Sequence, residues 1–343
     1  MKNIMIISLN SGGTMGHGKI ISSLANMLSK NNKGVTIVSD MPFSNNFNLN
    51  QNVNVENIER VPHANYTIGG MCVCSQKNEI FELAKKKSIE CVIFSTFFDL
   101  SLVKIFKDVS VKTMLLSYPI RDTYRLALKQ NGAYASFDRV ITLYGPEFND
   151  NVMSNERLVN PLNIVHNEAL NSEENDICVT CGGGGRPSSK IFLRKVIRAL
   201  EKILEKYPNM KTVIIKGNSK VEVNVSNMKI ITWTKDFGGL ISSSKLLVSE
   251  AGFFTMLDLI NFKKRAILVP GERIIDNQEL RALKLEELGI GRIFFPFEKV
   301  TKLSDMLKKS LTENKENEET FDKVKREFNK YPDISEFILE ETK

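Results

Sequence analysis

Apolar residues along this chain gather in short runs, separated by stretches in which they recur at helical spacing. Residues 1–9 (MKNIMIISL) predict a first strand, followed by the loop NSGGTMGHG. Ile20, Ile21, Leu24, Met27 and Leu28 then fall on one face of a predicted helix, the period of an amphipathic segment packed on a sheet. Residues 34–40 predict strand two, and 91–96, 113–118 and 139–143 predict further buried strands. The Asn-rich stretch 44–54 reads as a loop. Val159-Asn160-Pro161 closes this half, and the polar, acidic segment 172–176 reads as a linker or surface loop.

The same plan then restarts. Residues 177–181 predict a strand, GGGGRPSS a loop, and 191–204 a helix with Leu193, Val196, Ile197 and Leu200 on its inner face. Residues 212–216 and 229–233 predict strands, and the second half is organised around the stretch 249–278. There a short apolar strand (Leu246, Leu247, Val248) stops at Gly252; Thr255, Met256, Leu259 and Ile260 recur at helical spacing; a second apolar strand, 265–269, stops at Pro270-Gly271. A helix that begins at a strand's carboxyl end points free N–H groups and its positive dipole end into a crevice, which suits a phosphate. Asp258 lies one turn beyond Thr255, where a carboxylate accepts hydroxyls, and Asp276-Asn277-Gln278 opens the next helix. An ordinary αβ unit with a capped helix shares this pattern.

Strand–Gly-loop–helix therefore occurs twice, and strands alternate with helices throughout. The reading is an α/β chain of two facing Rossmann-like domains with an interdomain cleft. The expected divisions are 1–162 for an N-terminal Rossmann-like domain and 163–325 for a C-terminal one. A charged C-terminal helix, 326–343, is expected to cross back onto the first domain.

Composition narrows the classes. With 343 residues, 42% hydrophobic and 25% charged, the chain is an ordinary globular protein with room for two cores. The first strand leads straight into a Gly-rich turn rather than a signal peptide, and no apolar run reaches a membrane span. The expected location is cytoplasmic. A net charge of +7 favours polyanionic partners, and no helix-turn-helix, RNP or zinc-finger pattern accompanies it, so no nucleic acid is expected. Cys72, Cys74, Cys91, Cys178 and Cys181 do not make a disulfide framework. Cys178 and Cys181 form a CxxC, but on a strand they point to opposite faces, and His17, His63 and His166 are scattered. No metal is expected.

The Gly-rich loops exclude two phosphate motifs. In SGGTMGHG, Gly16-x-Gly18 lacks the third glycine of a dinucleotide fingerprint because Ile21 stands there, although Asp40 imitates the ribose-binding acid; neither loop is a Walker A. His17 stands where the predicted helix starts, placed as a general base, and equally as a structural hydrogen-bonder.

At this point the motifs resemble a known family. SGGTMGHG (11–18) resembles GGTGGH; VNPL (159–162) is similar to GNPVR; CGGGGRP (181–187) falls where the family has GGSQGA; SEAGFFTMLDL (249–259) resembles SRAGANTISEL; and IDNQ (275–278) resembles ADNHQ. These belong to the GT-B fold glycosyltransferases of MurG-like type, the UDP-N-acetylglucosaminyltransferase and diacylglycerol glycosyltransferase family. The motifs appear in order and cover most of the chain.

The resemblance implies a donor site made of Gly13, Gly16, Gly183, Gly184, Arg186, Trp233, Thr234, Gly252, Phe254, Thr255, Asp258, Asn277 and Gln278. Asp258 would take the ribose hydroxyls in place of the family's Glu, and Phe254 and Thr255 the diphosphate. Asn277 and Gln278 would take sugar hydroxyls, and Trp233 with Thr234 would take the base. Departures are Gly184 for the Ser of GGS and Asn163 for the Arg after NPV, with Arg186 or Lys216 as candidate replacement cations. Ser117-Tyr118-Pro119-Ile120 stands for the acceptor-side HEQN, which implies a different acceptor.

The expected function is transfer of a sugar from a UDP-sugar donor to an acceptor hydroxyl, inverting and metal-independent, with no cofactor. His17, Asp99 and Asp122 are the candidate bases. The acceptor is unknown; peripheral contact with the inner face of a membrane is an expectation from charge and family. The alternatives are a nucleotide-sugar hydrolase on the same fold, an NAD-binding protein, and a non-catalytic membrane- or partner-binding subunit using Phe97-Phe98 or Phe294-Phe295.

Overall fold

The computed structural model describes residues 2–343 other than 10–14, 32–33, 41–47, 63–64, 66–69, 150, 166–173, 223–227, 235 and 314–317. It divides into two compact units, Met1–Val165 with Phe328–Lys343, and His166–Glu327. The breaks thus fall after 165 and 327, where 162 and 325 were expected.

In the first unit seven strands form a parallel sheet: β1 (Asn3–Ser8), β2 (Val35–Ser39), β3 (Val53–Asn57), β4 (Ile89–Ser95), β5 (Lys112–Ser117), β6 (Arg139–Leu143) and β7 (Glu156–Val159). Their order is β3-β2-β1-β4-β5-β6-β7. Helices α1 (Met15–Lys30), α2 (Lys77–Lys86), α3 (Leu100–Asp108) and α4 (Asp122–Gln130) connect them. Central strands read as continuous apolar runs because both faces are covered. Met5, Ile7 and Leu9 join a core with Ile80, Leu102, Val103 and Phe106, while Ile4 and Ile6, on the opposite face, are equally buried. Each such side chain contributes roughly 1.5–3 kcal/mol through burial.

Two strands of this sheet are absent from the sequence reading. β3 begins inside the stretch read as a loop, and β7 lies just before the closing Val159. Both are edge strands. VNVEN alternates with a half-exposed pattern and ERLV carries two charges, the composition that blunts a sheet edge.

The second unit repeats the winding with β8 (Asn175–Thr180), β9 (Thr212–Ile215), β10 (Met228–Ile231), β11 (Ser244–Glu250), β12 (Ala266–Val269) and β13 (Gly291–Ile293). The order β10-β9-β8-β11-β12-β13 is again parallel. Its helices are α5 (Pro187–Leu204), α6 (Phe237–Ser242), α7 (Phe253–Phe262), α8 (Gln278–Glu287), α9 (Val300–Thr312) and α10 (Glu318–Phe328). α5 starts with Pro187, whose fixed φ suits a first helical turn. Its buried stripe of Phe192, Leu193, Val196, Ile197 and Leu200 shares a core with Leu303 and Leu307 of α9.

The last helix, α11 (Ile334–Glu341), belongs to the first unit. Asn160 N donates to Pro332 O at 2.8 Å and Ile334 N donates back to Asn160 O at 3.2 Å. Glu341 receives Lys112 Nζ at 2.6 Å and Arg139 Nε at 2.9 Å. Asn163, which stands where the family motif has Arg, donates to Asp333 at 2.7 Å. Among the described residues no helix is long and apolar enough to cross a membrane.

In each sheet the chain winds one way from a central strand and then the other way. The reversal falls between β1 and β4 in the first unit, and between β8 and β11 in the second. Outside the carboxyl ends of these neighbours the connecting segments diverge and leave a crevice, the usual ligand position of open parallel sheets.

Candidate functional site

In the second unit, the loop after β8 and the turn after β11 meet at the reversal. Gly182 and Gly184 adopt φ of 62° and 70°. Gly184 is buried, and a Cβ there would stand 2.3 Å from Lys216 O. Asn218 N donates to Gly183 O at 2.9 Å, which stitches this loop to the end of β9. The glycines therefore serve loop–loop packing first.

Beyond the turn, α5 begins at Pro187 and α7 at Phe253, with Gly252 as N-cap in an extended conformation. Both starts present unsatisfied N–H groups to the carboxyl edge. Glu250 ends β11 with its side chain buried. Its Oε1 accepts from Ser189 Oγ at 3.1 Å, and its Oε2 accepts from the Arg273 guanidinium. Burial pushes the Glu250 carboxyl up, against the charge of Arg273, the Ser189 hydroxyl and the charge of Arg186. Arg273 Nη1 also donates to Ser188 Oγ at 3.2 Å. A Cβ on Gly271 would stand 3.1 Å from Gln278 Oε1 and 3.2 Å from both Arg273 Nη1 and the Glu250 carboxyl carbon. Glycine at 271 leaves room for these groups to converge.

The segment after β12 is pinned from below. Arg281 is wholly buried; it donates to Ala251 O at 2.9 Å and to Asp276 Oδ1 at 2.8 Å, and its guanidinium lies 5.4 Å from the Phe253 ring centre. One side chain thus ties the turn before α7 to the segment before α8.

The expected donor residues fall along this edge with mixed roles. Gly252, Phe254 and Thr255 form the start of α7, with Phe254 and Thr255 half-buried. Arg186 caps α5 at the exposed end. Trp233 is 39% exposed and follows β10, two strands from β8, roughly 10 Å away. Thr234 Oγ accepts from Asp236 N at 3.0 Å. Other expectations need correction. Asn277 Oδ1 caps α8 by accepting from Leu280 N at 3.3 Å, and Gln278 is buried with its Oε1 accepting from Gly271 N at 2.9 Å. Both spend their oxygens on holding the loop. Asp258 is 1% exposed, because nearly the whole circumference of α7 is buried. Gly13 lies outside the described residues, and Gly16 is in the first turn of α1.

In the first unit, His17 is the third residue of α1 and half-buried. Tyr118 meets it edge-on at 4.7 Å between ring centres, and Phe97 lies at 5.6 Å. Burial pushes the Tyr118 phenol well above its ordinary value. Thr96 has φ of 65° at the end of β4, the left-handed region that a β-branched residue rarely occupies. Asp99 is corrected as a base. Its Oδ1 accepts from Ser101 N at 2.8 Å, Ser101 Oγ at 2.6 Å and Leu102 N at 3.3 Å, and its Oδ2 from Cys74 N at 2.8 Å. It is the N-cap of α3 and the anchor of the 74 segment. Asp122 is exposed in the first turn of α4, where a carboxylate complements the helix dipole. Phe98 and Phe294 are core side chains, 0% and 1% exposed.

Sequence reading missed Glu250, Arg273, Ser188, Ser189 and Arg281. Glu250 had a signal, since it stands where SRAGANTISEL has arginine; Arg281 had none. Among the described residues no three His, Cys, Asp or Glu gather as a metal cluster. Cys181 is buried, its Sγ 3.3 Å from Lys216 O.

Two doubly wound parallel sheets, each with its reversal crevice, are the architecture of the GT-B glycosyltransferases. Comparison with known proteins agrees. Residues 176–336 match the glycosyltransferase family 28 C-terminal domain. The UDP-N-acetylglucosamine–N-acetylmuramyl-(pentapeptide) pyrophosphoryl-undecaprenol N-acetylglucosamine transferase of Thermosipho africanus is 26% identical over 135 residues, 39% of this chain and 38% of that protein. The match therefore spans under two-fifths of that relative's length. The glycotransferase of kitacinnamycin has a TM-score of 0.70 at 10% identity, over 100% of this chain and 99% of that one. MurG of Acinetobacter baumannii has a TM-score of 0.64 at 13% identity, over 100% and 99%. The chain has the GT-B fold over its whole length and resembles the MurG-like family in sequence through its second unit.

Proposed function

We propose that this protein transfers a sugar from a UDP-linked donor to an acceptor hydroxyl, with inversion and without a metal. The observation that carries the reading is the carboxyl edge at the β8–β11 reversal, where Arg186 and Arg273 stand beside the starts of α5 and α7. A departing nucleoside diphosphate concentrates its charge on phosphate oxygens. Guanidinium groups and helix N-termini offset that charge without rearranging. Support for a nucleotide donor also comes from the relatives, whose name includes UDP-N-acetylglucosamine, and from the fold neighbour VinC, solved in complex with DTDP.

The acceptor oxygen attacks the anomeric carbon, the bond from that carbon to the diphosphate breaks, and the hydroxyl proton passes to His17. The edge of Tyr118 and the ring of Phe97 fix the imidazole's orientation. Trp233, exposed after β10, is the aromatic surface for the base. The chain's net charge of +7 suits peripheral binding at an anionic membrane face, which co-sedimentation with anionic and neutral vesicles tests.

The deciding experiment titrates UDP, TDP and other nucleoside diphosphates calorimetrically, then follows UDP-sugars with and without acceptors and chelator. Transfer that persists in chelator, with an inverted anomeric centre by NMR, is expected. Free sugar formed without any acceptor indicates a hydrolase instead. Binding of no nucleotide at all would sink the transferase reading.

A further inference from the structure

Glu250 and Arg273 stand 23 positions apart in sequence and meet in the fold, and their pairing places charges in an order the family motif does not have. Where SRAGANTISEL carries a cation, this chain carries the Glu250 carboxylate. Glu250 is only 5% exposed. A buried carboxylate needs compensation, and it receives Arg273 and the Ser189 hydroxyl. Arg186 is the second cation within electrostatic reach: it acts on Glu250, on Arg273 and, through Asp276, on the segment before α8. Arg273 thus pairs with the buried carboxylate directly, and Arg186 acts on it at longer range. The Arg186 side chain is held below its ordinary value by burial first and then by the repulsion of Arg273.

We propose that Arg273 is the cation that meets the donor's diphosphate, with Glu250 as the positioning residue that aims it and Arg186 as its partner cation. This rests on the donor reading above and changes its assignment: the replacement for the cation lost at Asn163 is Arg273, a residue outside every matched motif. The geometry gives the reason. The Arg273 guanidinium is fixed on three sides, by Glu250, by Ser188 at the start of α5, and by Glu272 O at 3.0 Å. Gly271 provides the space beside it. Lys216 contributes its backbone carbonyl to the packing of Gly184. A rigid planar fork beside a helix start recognises phosphate oxygens in pairs, which a lysine does not reproduce. The arrangement should therefore select diphosphate over monophosphate.

The test compares UDP and UMP affinities of the wild type with Arg273→Ala, Arg273→Lys, Arg186→Ala and Glu250→Gln, each checked for folding by its melting curve. Arg273→Ala is expected to weaken UDP roughly 10- to 100-fold, the range of a charge-assisted contact, while UMP changes much less. Arg273→Lys should recover part of the UDP affinity, and Arg186→Ala should show a smaller loss of the same kind. Glu250→Gln removes the counter-charge, so UDP affinity should hold or rise while donor kcat falls through lost aim. If the wild type binds UDP and the UDP-to-UMP ratio stays unchanged in Arg273→Lys and Arg273→Ala, the pair is structural and this assignment is overturned. Should Arg273→Ala fail to fold, the ratio in Arg273→Lys and Arg186→Ala decides alone. A wild type that binds no nucleoside diphosphate overturns the donor reading itself, a distinct outcome.

Discussion

Replacing Arg281 with leucine removes a side chain that is wholly inside the second unit and serves two segments at once. The carbonyl of Ala251, itself 1% exposed, loses a donor, which costs roughly 1–3 kcal/mol for a buried polar group. Asp276 keeps a third of its side chain in water, so losing its partner adds about 1 kcal/mol or less. The contact with the Phe253 ring is worth about 1–2 kcal/mol in a desolvated place, and leucine restores about as much through its own burial. The net expectation is a loss near 3 kcal/mol, a fall in melting temperature of roughly 6–12 °C for a unit of this size. The chain holds one tryptophan, Trp233, and it lies in the second unit. Its fluorescence in urea therefore follows that unit's transition by itself, which matters because a two-unit chain is not a two-state system. Arg281→Lys should lose about half as much, since an ammonium reaches one partner but not both. A change under about 0.5 kcal/mol in Arg281→Leu refutes the account, because no rearrangement could resupply Ala251 O from leucine.

Gly184→Ala combines a left-handed φ with a backbone overlap on Lys216 O and should cost about 2–4 kcal/mol; Gly185→Ala meets open space and should cost about 1 kcal/mol or less. Equal melting temperatures for the two would contradict the packing of this loop on the end of β9. Asp99→Asn keeps the cap on α3 but cannot accept from Cys74 N as well, so stability should drop by about 1–2 kcal/mol with an unchanged pH–rate profile. A large loss of turnover in a fully stable variant would restore Asp99 as a base. For Glu341, burial alone would raise the carboxyl, but Lys112 and then Arg139 outweigh it and hold it low. The folded state then binds the proton less readily than the unfolded one. The stabilisation is complete above the ordinary carboxylate value of about 4.3 and is lost as pH falls through the depressed folded value. Glu341→Gln should cost about 1 kcal/mol or less at neutral pH, seen by circular dichroism, and match the wild type in acid. A gap that persists in acid would count against the pair.

The central strands were legible because their apolar runs need no partner to be recognised; 139–143 is β6 itself. Edge strands such as VNVEN were not, since half-exposed alternation among asparagines has the composition of a loop. The start of α7 was legible because a strand stop, a glycine and a helical period are all local signals. Glu250 with Arg273 was not. Each alone reads as a polar residue at an element's end, and only the pairing of β11 with β12 brings them together. The burial of Asp258 was not legible for a related reason. Its helical spacing from Thr255 was right, but spacing fixes a face and not whether neighbours cover it, and Leu257, Leu259 and Ile260 are all core. Asp99, by contrast, carried the local signature of a cap three residues before Leu102, and a turn role was the simpler use of it.

The two units share one winding but fill their reversal edges with different chemistry. After β4 and β5 the first unit places Ser95, Thr96, Ser117 and Tyr118, with His17 and Phe97 against the Tyr118 side. Two aromatic rings flank one imidazole there. A left-handed threonine costs roughly 1–3 kcal/mol, and Thr96 carries that cost at the end of β4. The second unit places glycines, helix starts, two guanidinium groups and one buried carboxylate at the matching edge. On the proposed reading, the acceptor hydroxyl gives its proton to the imidazole of the first environment, which Tyr118 and Phe97 flank. On the same reading the diphosphate goes to the second, where guanidinium groups stand beside helix starts. Exchanging the residue types between the edges would leave both sheets intact and remove both fits, because the winding supplies only the crevices and the side chains decide what each one holds.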